Sequence, residues 1–196
     1  MTAASILFLD IDDVVCLNET YGGYDVVAAL RGRHEEPAAV FREVFNPRAC
    51  DILRRVHDAM DGCLRYVVSS TWREALDLTQ LARVFNEGGL DFVAGAFHEV
   101  WRTPVSHYRG VRADDIARWL DRWHAGEPFA ILDDTYSGTS LKPALAEALH
   151  PYFDRVVLCQ ENEGLIQEHV RPLVDALKAP WLFNGESLRQ ALRKFK

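Results

Sequence analysis

The sequence predicts an α/β domain, a parallel sheet with helices packed on both faces. Short continuous apolar runs recur along the chain, as strands buried on both faces require, and segments with apolar residues at helical spacing lie between them. Three of these runs also end in acidic or hydroxyl residues. In parallel α/β sheets the chemistry sits in the crevice at the carboxyl ends of the strands.

Taken in order, residues 6–9 (ILFL) form the first predicted strand and residues 64–68 (LRYVV) the second. Residues 92–94 (FVA) form a weaker third, residues 129–132 (FAIL) a fourth and residues 156–158 (VVL) a fifth. A helix opens at Asn46-Pro47, with Asn as N-cap and Pro at the first helical position. Its apolar residues are Ile52, Leu53, Val56 and Met60, and Gly62 stops it. Residues 76–85 form a second helix, ended by Gly88-Gly89. Residues 113–124 form a third, with Ile116, Trp119, Leu120 and Trp123 on one stripe. Residues 143–149, 167–177 and 187–195 also read as helices. Residues 17–45 break the alternation with a Gly22-Gly23 turn and a polar stretch over 31–36, and read as an insert leaving the end of strand one. The 196 residues therefore make one domain over 1–196 with a small insert at about 17–45.

Composition narrows the function classes. Apolar residues are 48% and charged residues 26%, which excludes disordered and fibrous chains. Lys plus Arg is 22 and Asp plus Glu 29, a net charge of −7, so no overall basic footprint for nucleic acid exists. Cys16, Cys50, Cys63 and Cys159 form no CxxC pair and no disulfide framework, and read as small buried hydrophobes of a reducing compartment. No run approaches the roughly 20 apolar residues of a membrane helix, and residues 6–9 lack the basic start of a signal peptide. The expected location is the cytoplasm, with no membrane partner. Nothing in the sequence sets an oligomeric state.

The strand ends carry the chemistry. Strand one ends in Asp10-Ile11-Asp12-Asp13, strand two in Ser69-Ser70-Thr71 and strand four in Asp133-Asp134. The five acids are expected to converge on one sheet rim, where their repulsion calls for a cation. Oxygen ligands favour a hard cation such as Mg²⁺. Hydroxyls and free backbone N–H groups after strand two suit phosphate oxygens. Each motif alone also fits a turn or helix cap; their joint occurrence in this order points to a site.

In these motifs the chain resembles the haloacid dehalogenase (HAD) superfamily, from Phe8 to Asp134. The superfamily's first motif, four apolar residues and then DxD, is matched at Asp10 and Asp12, and its strand-two hydroxyl at Ser69. Its Lys or Arg near the start of a later helix is matched by Arg112, with Arg109 as rival, and its acidic pair by Asp133 and Asp134. More narrowly, Val67-Val68-Ser69-Ser70-Thr71-Trp72-Arg73 resembles the HAD domain of Swiss Army Knife RNA repair proteins, as do Arg112-Ala113-Asp114-Asp115-Ile116 and Glu163-Gly164-Leu165. One departure is Asp13 where the superfamily usually has Gly; Asp tolerates the left-handed backbone better than most residues.

The resemblance implies a three-layer Rossmann-like (HAD-like) fold with a small flap or cap insert. It implies a Mg²⁺-dependent phosphatase acting through an aspartyl-phosphate, with Asp10 as nucleophile and Asp12 as general acid and base. Ser69, Ser70 and Arg112 would bind phosphate. Mg²⁺ would be held by Asp10, by Asp12 through its backbone carbonyl, and by one or both of Asp133 and Asp134. The small insert leaves an open site, which by family analogy suits large substrates such as RNA or DNA ends. Two alternatives stand beside this, a small-metabolite phosphatase for nucleotides or sugar phosphates and a non-catalytic binding domain of the same fold. Arg73 reads as a solvent-facing first-turn residue or a phosphate contact, and Trp72 as a packing residue or a stacking platform. His107 and Tyr108 read as surface loop, and the Arg189, Arg193, Lys194, Lys196 tail as a solvated helix face.

Overall fold

The computed structural model describes residues 4–105, 112–143 and 153–181. Among these, five strands form a single all-parallel sheet: β1 (Ser5–Leu9), β2 (Leu64–Val68), β3 (Phe97–Arg102), β4 (Phe129–Asp134) and β5 (Val156–Cys159), in the order β3-β2-β1-β4-β5. The order reverses between β1 and β4, which makes the carboxyl end of this pair the topological switch point where such sheets bind ligands.

The period-two alternation of strand side chains divides the core. Leu7, Leu9, Tyr66, Val68, Ala130, Leu132 and Cys159 face one side. There they meet α3 (Pro47–Asp58) and α8 (Val170–Lys178), with α1 (Gly23–Leu30), α2 (Pro37–Glu43) and α5 (Leu78–Glu87) on the same face. Ile6, Phe8, Val67, Phe129 and Ile131 face the other side, against Ile116, Trp119 and Leu120 of α7 (Arg112–Trp123). Phe8 meets Trp119 edge to face at 5.2 Å, a geometry aromatic quadrupoles favour. The three-layer α/β fold is thus as the sequence predicts.

Local signals explain most boundaries. Asn46 caps α3 by accepting from the Ala49 N–H at 3.1 Å, ahead of Pro47. α5 starts two residues later than predicted, because Asp77 and Gln80 form a reciprocal capping box. The preceding residues form a short separate turn of helix, α4 (Trp72–Ala75). The segment predicted as a helix over 167–177 begins as a 3-10 turn, Gln167–His169, and continues as α8.

The third strand requires a correction. Residues 92–94 belong to a short helix, α6 (Asp91–Ala94), and the strand is β3. A three-residue apolar run has no period to separate strand from helix. The real strand is an edge, paired only with β2, and its half-exposed Phe97-His98-Glu99-Val100-Trp101-Arg102 hides the apolar run that buried strands display. The predicted helix at 143–149 lies outside the described residues beyond Pro143, as do the helix at 187–195, the C-terminal basic tail, His107, Tyr108 and Arg109.

Residues 17–45 hold α1 and α2, which pack on each other, and their Val26, Ala29, Val40 and Phe41 join the same core as Leu7 and Leu9. Three of the four cysteines are buried and all are free thiols. Among the described residues, no helix is long and apolar enough to cross a membrane.

Candidate active site

The ends of β2, β1 and β4 are laced together by sheet hydrogen bonds that cross the site in one line. The Ser69 N–H donates to the Leu9 carbonyl and the Asp10 N–H to the Leu132 carbonyl, both at 2.9 Å. The next residue on each strand therefore projects into the same crevice.

Past Asp10 the chain turns sharply. The Ile11 carbonyl accepts from the N–H groups of Val14, Val15 and Cys16 at 3.3, 3.0 and 2.9 Å, and Asp13 sits at φ 55°. Asp thus occupies the left-handed position where the superfamily usually has Gly. Gly164, at φ +72°, closes on this turn so tightly that a Cβ there would lie 2.9 Å from the Val14 carbonyl.

Three of the five expected acids converge. Asp10, Asp133 and Asp134 are fully buried, and each offers an oxygen within 4.8 Å of the others. The other two turn aside, correcting the expectation of a five-acid rim. Asp13 Oδ1 accepts from the Asn162 N–H at 2.9 Å, and both Asp12 oxygens accept from Trp72 Nε1, at 3.1 and 3.0 Å. Each side chain is taken by an N–H donor from elsewhere in the fold, the Trp72 indole for Asp12 and the Asn162 backbone for Asp13.

Arg112, at the start of α7, reaches into the acidic group. Its Nη2 donates to Asp10 Oδ1 at 3.2 Å and its Nε lies 2.9 Å from Asp133 Oδ2. Asp133 Oδ1 accepts from the Asp134 N–H at 3.0 Å, and Asp134 Oδ1 accepts from the Tyr136 and Ser137 N–H groups at 2.6 and 2.8 Å. Asp10 Oδ2, Asp134 Oδ2 and Ser69 Oγ remain buried without a hydrogen-bond partner. Such atoms are costly to bury unless a ligand completes them.

Electrostatics agree. Burial pushes the Asp10 carboxyl up to about 6, against the pull of Arg112 and with repulsion from Asp12 and Asp134. Asp133 is raised well above the usual carboxylate range by burial and by Asp10. Burial also raises Asp12, opposed by its bond from Trp72. If all three clustered acids ionise, one guanidinium leaves two negative charges in excess, which matches a divalent cation. The donor set is carboxylate only, without His or Cys, so it suits a hard ion such as Mg²⁺.

The strand-two loop differs from expectation at Arg73. Ser70 is buried, and its Oγ accepts from the Trp72 N–H at 3.4 Å. Arg73 is neither solvent-facing nor turned to phosphate; it is 3% exposed. Its guanidinium donates to the carbonyls of Ser69 (2.7 Å), Ser70 (2.6 Å) and Thr103 (3.2 Å) and to Asp115 Oδ2 (2.7 Å). The turn after β2 leaves carbonyls with no strand partner, and a five-donor fork gathers them. An Arg two residues beyond a Ser-Ser-Thr turn was the available signal for this clasp, and its identity alone does not separate the two uses.

The comparisons agree with this geometry. A family model for the HAD domain in Swiss Army Knife RNA repair proteins matches residues 6–170. No curated protein and no solved structure gives a significant match.

Proposed function

Because the chain belongs to the family of HAD domains in Swiss Army Knife RNA repair proteins, we propose that it is a Mg²⁺-dependent phosphomonoesterase working through an aspartyl-phosphate. We further propose that its substrates are phosphorylated RNA or DNA ends. The observation that carries the reading is the set of buried, partnerless oxygens on Asp10, Asp134 and Ser69 at the ends of three adjacent strands. The substrate class follows from the family's description.

In this reading Asp10 Oδ2 attacks phosphorus as the ester P–O bond breaks on the opposite side. Asp12 gives a proton to the departing oxygen. It then takes one from the water that attacks phosphorus and frees Asp10. The Ser69 hydroxyl donates to a phosphoryl oxygen, and the Ser70 backbone lies beside it. Arg112 offsets the negative charge of nucleophile and phosphate together, since it already spans Asp10 and Asp133. Arg112 is thus the basic motif residue in this reading, Arg109 lying outside the described residues. Asp134 through its open oxygen and Asp10 through the oxygen that does not attack would hold Mg²⁺, with Asp133 and the Asp12 backbone carbonyl beside them. Mg²⁺ would supply charge neutralisation between an anionic nucleophile and an anionic substrate.

The test is release of phosphate from an aryl phosphate, nucleotides, sugar phosphates, and 3′- and 5′-phosphorylated oligonucleotides, with and without Mg²⁺. Wild type is expected to turn over oligonucleotide ends with the highest kcat/KM and to form an acid-stable phosphoenzyme that Asp10→Asn lacks. A preference for nucleotides or sugar phosphates would move the substrate class to small metabolites. The absence of Mg²⁺-dependent turnover on every member of the panel would leave a binding domain.

A further inference from the structure

We propose that Trp72 is a positioning residue for the reaction, its indole N–H fixing the place of the Asp12 carboxyl group. The inference rests on the phosphatase reading above. Asp12 sits on the turn after β1, and its carboxylate lies outside the Asp10–Asp133–Asp134 group. Its side chain is held by one donor that serves both oxygens, Trp72 Nε1 at 3.1 and 3.0 Å.

That donor is itself immobilised. Trp72 is 4% exposed. Phe45 stacks on it with centroids 6.0 Å apart and planes 26° apart. Gly23, at the start of α1, lies so close that a Cβ there would come within 2.7 Å of Nε1. The Trp72 backbone N–H donates to Ser70 Oγ at 3.4 Å, so the ring belongs to the same turn that carries Ser69. The indole therefore transmits the position of β2 and of the 17–45 segment to the side chain on β1 that must face the leaving oxygen.

The type of donor also fits. An indole carries no charge and no acceptor, so it orients a carboxyl group without competing for a phosphoryl group or a cation. A misplaced acid loses reactivity steeply with small displacements, because proton transfer needs hydrogen-bond reach.

The experiment compares leaving groups. A 2,4-dinitrophenolate departs without a proton, whereas an alkoxide needs one. kcat/KM reports the steps through phosphoryl transfer to Asp10, in which the leaving group departs. Trp72→Phe keeps the ring and removes the N–H. It is expected to lower kcat/KM about tenfold or more for β-glycerol phosphate and less than about threefold for 2,4-dinitrophenyl phosphate, the pattern of Asp12→Asn in weaker form. Gly23→Ala, whose Cβ would lie 2.7 Å from Nε1 and so push the indole N–H from its place, is expected to show the same selectivity. An equal fall on both substrates in either variant would mark a merely structural role and overturn the inference, as would unchanged kcat/KM on β-glycerol phosphate. Wild type inactive on both substrates and on 3′- and 5′-phosphorylated oligonucleotides would instead remove the phosphatase reading, and the inference with it.

Discussion

Replacing the proposed nucleophile should abolish turnover and, without metal, stabilise the fold. Burial lifts the Asp10 carboxyl from 3.8 to about 6, so ionising it in the folded state costs about 3 kcal/mol relative to the unfolded chain. The sign follows from the direction. A raised pKa means that the folded protein holds the proton more tightly. The stabilisation it gives is full below 3.8 and is lost as pH rises through 6. Asp10→Asn removes this dependence. Its carbonyl can still accept from Arg112 Nη2, and its amide faces the Asp133 and Asp134 carboxylates. In EDTA, urea unfolding should place the variant about 3 kcal/mol above wild type at pH 8 and about half that at pH 5. Mg²⁺ should reverse the order at pH 8, because wild type gains binding energy that the variant has largely lost. A variant less stable than wild type in EDTA at pH 8, or a difference that does not change with pH, would refute the electrostatic account of the site.

Two further outcomes separate binding from architecture. Ser69→Ala removes a buried hydroxyl that has no partner; urea unfolding should register a change under about 1 kcal/mol, while kcat/KM on any phosphoester falls about a hundredfold. Arg73→Ala strips a buried ion pair and three carbonyl contacts. Unfolding free energy should drop by about 3–5 kcal/mol, and a loss under about 1 kcal/mol would disprove the clasp.

The legible parts of the sequence were those where one physical demand sets the residue type. Strands buried on both faces must be apolar throughout, so β1, β2, β4 and β5 stood out. The cap at Asn46 and the carboxylates at strand ends stood out for similar reasons. β3 was hidden because an edge strand tolerates His98, Glu99 and Arg102. The number of converging acids was overcounted because spacing along a chain does not say where a side chain turns. Asp12 and Asp13 are captured by an indole and by the Asn162 N–H, partners 60 and 149 residues away. Trp72 and Arg73 were singled out by position, yet each has two plausible uses until tertiary partners select one. The acidic surplus of the composition, −7 overall, also resolves into parts. With the three clustered acids ionised, the excess at the site is two charges, the amount one divalent ion cancels.

The line of hydrogen bonds from Ser69 to Leu9 and from Asp10 to Leu132 makes length, as well as residue identity, a constraint on this chain. Because strand side chains alternate faces, inserting or deleting one residue within β1, β2 or β4 would swing its site residue to the opposite layer. The connections between those strands face no such restriction. Variation in length should therefore gather in the 17–45 segment and in the stretch between β3 and α7, where substrate preference can change while the spacing of Ser69, Asp10 and Asp133 stays fixed.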